Sequence, residues 1–262
     1  MDRATQPAPP PMHVDVAGTR IAITLPTQDD LSDAILGRLA ARQGFALATL
    51  NLDHLVKLGR DPAFRAAYAQ HEFVTADGNP VVWLSRLAGR PVGLLHGSDL
   101  VVPIARLAAA ADAPVALIGS TREVLDAAAK VLCAQVEGLR IAYTLAPPHG
   151  FEPDSAAAHE ILTALSRTDT RLCFLAFGAP KQERLAAHGR RLAPQIGFVS
   201  IGAGLDFLAG AQHRAPRIVR RLALEWLWRL LSQPRRLWQR YLLCILILPR
   251  HARAALRLRN GR

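Results

Sequence analysis

Arg171-Leu-Cys-Phe-Leu-Ala-Phe177 runs directly into Gly178-Ala-Pro-Lys-Gln-Glu183. Apart from its leading arginine the first stretch is wholly apolar, which is how a strand reads when both of its faces are covered. The second is a tight turn feeding a helix, whose free N–H groups are suited to receive an anion. Outward from this point the same pattern recurs. Further strands are expected at Arg20–Leu25, Phe45–Asn51, Pro114–Gly119, Arg140–Leu145 and Gly197–Gly202. Helical patterns fall between them at Asp30–Arg42, Pro62–Gln70, Pro80–Leu87, Leu100–Ala111, Thr121–Gln135, Asp154–Ser166 and Lys181–Arg190. Ser120-Thr-Arg-Glu123 has the form of a capping box, and Asp154 follows Pro153 at the head of an alanine-rich run. Strand and helix in succession predict an α/β fold, a Rossmann-like mainly parallel sheet with helices on both faces. With 262 residues, half of them hydrophobic, the chain can bury a full core.

The charge is not spread over this body. From His213 to Arg262 there are thirteen arginines against one acid, Glu225; with a net charge of +11 for the whole chain, residues 1–212 are close to neutral. Three of the four tryptophans lie in the same stretch. Read as a helix, Val219, Leu222, Trp226 and Leu230 share one side, while Arg217, Arg220, Arg221 and Glu225 crowd the other. Arginine opposite tryptophan and leucine is the composition of a surface that touches an anionic membrane, and nucleic acid is the other partner such charge suggests. Tyr241–Leu248 is apolar but stops at Pro249 and Arg250, too short to cross a bilayer. The expected division is a disordered, Pro-rich leader at 1–18, a catalytic body at 19–212 and a basic helical appendage at 213–262. The leader has no apolar stretch of the signal-peptide kind. Cys133, Cys173 and Cys244 lack metal-ligand spacing and read as reduced core or interface residues of a cytoplasmic protein.

Parallel sheets bind ligands at the carboxyl ends of their strands. There the chain offers Thr49-Leu50-Asn51, the turn at Gly178–Glu183, and Gly202-Ala-Gly204-Leu-Asp206; the turn-rich run Thr75-Ala-Asp77-Gly-Asn79-Pro80 adds an acid. Each has a plain structural reading, since Asp-Gly is a common turn and glycine often follows a strand. A dinucleotide fingerprint would need glycine where Phe207 stands, and no P-loop is present. No Asp-x-Asp pair is available to hold a metal on a nucleotide diphosphate; Glu152-Pro-Asp154 comes nearest and suits helix capping better. The histidines at 54, 71, 96, 149 and 188 show no ligand spacing and read as surface or packing residues.

In combination, T-x-N at Thr49–Asn51, A-D-G-N-P at Ala76–Pro80, F-G-A-P-K-Q-E at Phe177–Glu183, G-A-G-L-D-F-L-A-G at Gly202–Gly210 and R-A-P…L-E-W-L-W-R-L…P-R-R at Arg214–Arg236 resemble the TagA/WecG/CpsF glycosyltransferases. The resemblance covers about Ile21 to Pro249. It implies an inverting transfer of a sugar from a UDP-sugar to a lipid-diphosphate-linked saccharide, without a metal or other cofactor, on the cytoplasmic face of a bacterial membrane. By the same resemblance Asp77 is the general base, Thr49 and Asn51 hold sugar or acceptor, Gln182 contacts the donor, and Asp206, Gly150 and Phe151 border the nucleotide. Arg229 and Arg236 would neutralise the departing diphosphate, a role that fits a fixed, always-charged donor. Relatives often carry R-V-x-G-x-D where this chain has Leu94-Leu-His-Gly-Ser-Asp99, and Gln239 stands where a basic residue is common, with Arg240 beside it. The donor sugar is accordingly expected to be of the N-acetylmannosamine type, or glucose as in exopolysaccharide relatives. Nucleic acid is not an expected partner on this reading, and a homo-oligomer is left open. The competing class is a non-catalytic module that tethers membrane or nucleic acid through its basic tail. Polar residues at several strand ends favour the enzyme, because a tether needs no such cluster.

Overall fold

The computed structural model describes residues 10–212, 215–216, 219, 225–232 and 234–261. Its centre is a six-stranded sheet built from β3 (Phe45–Leu50), β4 (Phe73–Ala76), β5 (Val115–Gly119), β6 (Ile141–Leu145), β7 (Leu172–Ala176) and β8 (Gly197–Ser200), in the order β4-β3-β8-β7-β5-β6. Every pairing is parallel, as the uninterrupted apolar runs predict. The runs are uninterrupted because β3, β5, β7 and β8 bury both faces. In β7, Leu172, Phe174 and Ala176 pack toward α1 (Gln28–Ala40), α5 (Val101–Ala110) and α6 (Arg122–Gln135), while Cys173 and Leu175 pack toward α7 (Ala156–Ser166) and α8 (Lys181–Leu192). The expected Rossmann-like architecture is therefore present.

Close approach explains one glycine. A Cβ on Gly189 of α8 would lie 2.5 Å from the Phe198 ring of β8, so the helix settles on the sheet only without a side chain there.

Several boundaries differ from expectation. The stretch assigned to a disordered leader contains β1 (His13–Val16), which pairs antiparallel with β2 (Thr19–Ala22) through Ala17 and Gly18, both at positive φ. That is the turn geometry that suits a two-residue hairpin. Val14, Val16 and Ile21 are buried, which anchors the hairpin to the body. The helix after β5 is capped by Thr121, whose side chain accepts from the Val124 amide, so the Ser120 capping box does not form. Ser155 rather than Asp154 caps α7, and Asp154 pairs with Arg184. Helices α2 (Leu52–Arg60) and α3 (Pro62–Tyr68) fill the segment between β3 and β4, and α4 (Asn79–Leu87) follows β4. The short α9 (Gly204–Leu208) follows β8.

The basic tail is helical, as expected, and over its described length it packs on the body. After α10 (Glu225–Ser232), the long α11 (Pro234–Arg259) lies on α2, α4 and β1. Ala255 is buried, and Ile247, Leu248, Ala252 and Leu258 join the same apolar cluster as the hairpin. Most of the helical face expected around Val219 and Leu222 falls outside the described residues. No helix among the described residues is long and apolar enough to cross a membrane.

Candidate active site

The register of β3 against β4 creates the site. Thr49 lies opposite Thr75 and Leu50 opposite Ala76, so the next residues, Asn51 and Asp77, leave adjacent parallel strands side by side. The Asp77 amide continues the pairing by donating to Leu50 O at 2.8 Å. Gly78, at φ 104°, then turns the chain into α4.

Asn51 has two tasks. Its Oδ1 accepts from the His54 amide at 3.0 Å and so caps α2, while Nδ2 donates to Asp77 Oδ2 at 3.3 Å. The other carboxylate oxygen is taken by His96. The Leu95 amide donates to Ala76 O at 2.8 Å, which lays the segment after α4 along the edge of β4 and brings His96 Nδ1 to 2.6 Å from Asp77 Oδ1. Thr49 lies just behind. A Cβ on Gly97 would come within 3.3 Å of the Thr49 hydroxyl, so the Gly97–Asp99 turn packs closely against the end of β3.

The electrostatics follow from this packing. Burial acts to raise the Asp77 carboxyl, but the hydrogen bond and charge of His96, the Asn51 amide and the charge of His54 outweigh it and hold the group below its ordinary value. Burial acts to lower the His96 imidazole, yet the bond and charge of Asp77, with Asp99 and Glu225 nearby, raise it above its ordinary value. Beneath the pair lies a buried polar layer. Glu183 is fully buried, accepts from Gln182 Nε2 at 2.8 Å, and has the His54 imidazole Nε2 at 3.9 Å. Glu183 Oε2, His54 Nδ1, Thr75 Oγ1, Ser200 Oγ and the Tyr68 hydroxyl carry no hydrogen bond among the described residues. Burial first, then the charges of Glu183 and Asp77, push the Tyr68 phenol well above its ordinary value.

The remaining site candidates occupy the carboxyl ends of the other strands. Gln182, buried at the start of α8, accepts from the Gly202 amide at 2.9 Å, tying the turn after β7 to the turn after β8. Asp206 accepts from Ser120 Oγ at 3.1 Å, linking α9 to the end of β5. Phe151 is buried and stacks on Phe177 with ring centres 5.6 Å apart, and Lys181 Nζ donates to its carbonyl at 2.6 Å; Gly150, at φ 82°, makes the exposed turn before it. These residues therefore line one edge of one sheet. Two hollows of about 180 and 420 Å³ lie between the β1–β2 hairpin and α11, and none of the site candidates lines them.

The tail comes to the same edge. Arg240 Nε lies 2.9 Å from Asp53 Oδ1 in the first turn of α2, and the ring of Trp226 meets Tyr241 edge-on at 6.0 Å. The side chains of Arg229 and Arg236 lie outside the described residues.

His96 is the residue the sequence reading missed: taken as a surface or packing group, it is the partner of Asp77. The signal available was its place in Leu94–Asp99, a stretch that the motif resemblance had already singled out. No group of three or more His, Cys, Asp or Glu side chains among the described residues is placed to hold a metal ion.

A parallel α/β sheet, a carboxylate presented at the end of its edge strand β4, and a basic C-terminal helix returning to that edge agree with the motif resemblance. A family model described as "Glycosyl transferase WecG/TagA/CpsF family" matches residues 14–261, from the first strand to the end of α11. The chain belongs to the WecG/TagA/CpsF family of glycosyltransferases.

Proposed function

We propose that this glycosyltransferase moves a sugar, of the N-acetylmannosamine type or glucose, from a UDP-sugar to a polyprenyl-diphosphate-linked saccharide, with inversion at the anomeric carbon and without a metal. The observation that carries this reading is the Asp77 carboxylate, held between Asn51 and His96 at the carboxyl edge of a parallel sheet. An acid so placed is suited to the base side of a single displacement, in which the acceptor hydroxyl loses its proton as it attacks. Thr49 and Asn51 flank the place where the reacting hydroxyl would sit. Gln182, Asp206, Gly150 and Phe151 form the donor side, with Gln182 and Asp206 fixing the loops rather than standing free. Arg229 and Arg236 supply the charge that receives the leaving diphosphate.

The acceptor's lipid demands a membrane surface. On α11, Trp238, Leu242, Ile245 and Leu246 point outward, between 46% and 64% exposed, at the i, i+4, i+7, i+8 spacing of one helical stripe. Trp226 and Trp228 of α10 are also exposed. An outward apolar stripe among arginines suits a helix lying in the headgroup region, which supports a peripheral place on the cytoplasmic face of the bacterial membrane. On this reading residues 213–262 both dock the enzyme and complete its site.

The test is transfer itself. Purified protein is incubated with UDP-glucose or UDP-N-acetylmannosamine and a short-chain prenyl-diphosphate-linked sugar, and the product's anomeric configuration is read by NMR. Inverted product from either donor supports the reading. UDP that neither binds nor appears as product would overturn the UDP-sugar donor.

A further inference from the structure

We infer that His96, through Nε2, is the atom that accepts the acceptor's proton, and that Asp77 is the carboxylate that orients it. Both oxygens of Asp77 are already engaged, Oδ1 by His96 Nδ1 and Oδ2 by Asn51 Nδ2. A contact of 2.6 Å between a carboxylate and an imidazole nitrogen requires a proton between them, so neutral His96 carries its hydrogen on Nδ1. That leaves a lone pair on Nε2, which has no hydrogen-bond partner among the described residues, on a ring 30% exposed. Asp77, by contrast, is held below the ordinary carboxylate value by two donors and is a weak base. The free, stronger base of the cluster is the imidazole.

With sugar transfer as the reaction, as proposed above, the step balances simply. The acceptor O–H proton passes to Nε2, the new C–O bond forms at the anomeric carbon, and the bond to the diphosphate breaks with its electron pair leaving on UDP. The imidazolium that results faces Asp77, with Asp99 and Glu225 within electrostatic reach, and later returns its proton to solvent from its exposed edge.

Three measurements decide it. In the full-length protein, turnover of UDP-sugar with the short-chain acceptor should rise with pH through a single group titrating above 6.5, because neutral His96 is the active form and its pKa is raised. An isolated Asp77 base would instead give a profile flat from about pH 5 upward, which overturns the assignment. His96→Gln keeps an N–H for Asp77 but no base, and should lose about 10²-fold in turnover together with the acid limb. His96→Gly should regain turnover when imidazole is added, a rescue that a merely structural role would not give; near-wild-type turnover in His96→Gln would overturn the idea. Imidazole NMR of the wild type, which needs no substrate, should show the Nδ1–H tautomer at high pH, and a pKa that falls in Asp77→Asn. An Nε2–H tautomer overturns the assignment even if no sugar is ever transferred, whereas absence of transfer with the Nδ1–H tautomer present faults the substrate reading alone.

Discussion

Arg240 of α11 lies 2.9 Å from Asp53, and Asp53 stands two residues beyond Asn51, the cap of α2 that also holds Asp77. The basic tail is thus latched to the helix whose cap holds the Asp77 carboxylate. Lys57 shares the same acid at 2.8 Å and donates to Ala179 O at 2.9 Å, in the turn after β7. Arg240 is about half exposed, so the pair itself contributes at most about 1 kcal/mol. Arg240→Ala should therefore leave thermal stability nearly unchanged while lowering transfer several-fold, because the N-terminal half of α11 is held less closely beside the site. Equal turnover in the two proteins, measured on the soluble acceptor, would show that the latch has no functional part.

Asp77→Asn removes the charge that orients His96 and keeps the shape. Turnover should fall about 10²-fold or more, the usual scale for disabling acid–base catalysis, with UDP affinity little altered. Calorimetric titration with UDP beside the transfer assay separates the two effects. Full turnover in folded Asp77→Asn would remove the site from the carboxyl end of β4.

How much of this was open to a reader of the sequence differs by element. The buried strands were legible because β3, β5 and β7 hide both faces, so that hydrophobicity alone marks them. The segment Leu52–Arg60 was not read as a helix, because its cap, Asn51, is also the last polar residue of a strand end and was assigned wholly to ligand contact. β4 is only four residues long and is followed by Asp77-Gly78, which reads as a turn. Asp77 was found through its motif. His96 was not, since its partner lies 19 residues away and the link depends on Leu95 pairing with the edge of β4, a contact that no spacing rule records. The inward face of α11 was hidden for a similar reason: an apolar helix rich in arginine looks the same whether its apolar side meets lipid or the body, and here one apolar side packs on the body while another stands exposed.

Transfer should persist in excess EDTA. The sequence offers no Asp-x-Asp pair to fix a metal on the diphosphate, and the nearest acids are engaged elsewhere, Glu152 with Lys181 at 3.0 Å and Asp154 with Arg184. Activity lost on chelation and restored by Mg²⁺ or Mn²⁺ would refute a leaving group neutralised by arginine alone.

Glu72 makes a prediction about acid stability. Its Oε2 accepts from the Ala46 amide at 2.8 Å at the start of β3, and Oε1 accepts from Arg190 at 2.9 and 3.1 Å. Burial acts to raise this carboxyl, but the Ala46 amide and Arg190 outweigh it and lower it below 4.5 in the fold. The unfolded chain then binds more protons than the native one as pH falls through the carboxylate range. The contribution is complete above 4.5 and is lost as pH drops through the lower, folded value. Glu72→Gln should therefore destabilise the protein at pH 7 and flatten the fall in melting temperature below pH 4.5. Parallel melting curves for the two proteins over pH 3–7 would contradict this.

The tail carries two proposed tasks, and the structure shows how to separate them. Deleting it from Arg214 would be uninformative, because Ile247, Leu248, Ala255 and Leu258 fill the core beneath the hairpin and their loss would unfold the body. The outward stripe can instead be altered alone. Ile245 is 58% and Leu246 64% exposed, so Ile245→Glu with Leu246→Glu should change stability by about 0.5 kcal/mol or less per site. Burying such a side chain in lipid contributes about 1.5–3 kcal/mol, so each loss should weaken binding to anionic liposomes by roughly tenfold or more. Turnover on a soluble short-chain acceptor should stay near wild type, since none of the site candidates belongs to this exposed stripe. Arg229→Ala and Arg236→Ala should do the reverse, keeping most liposome binding, because each removes one of thirteen arginines, while losing most turnover. Sedimentation with vesicles and the soluble-acceptor assay, run on all four proteins, give the answer. If the glutamate pair sediments like wild type, the apolar stripe is covered by something other than lipid; if both arginine variants turn over normally, the diphosphate must find its cations elsewhere on the edge.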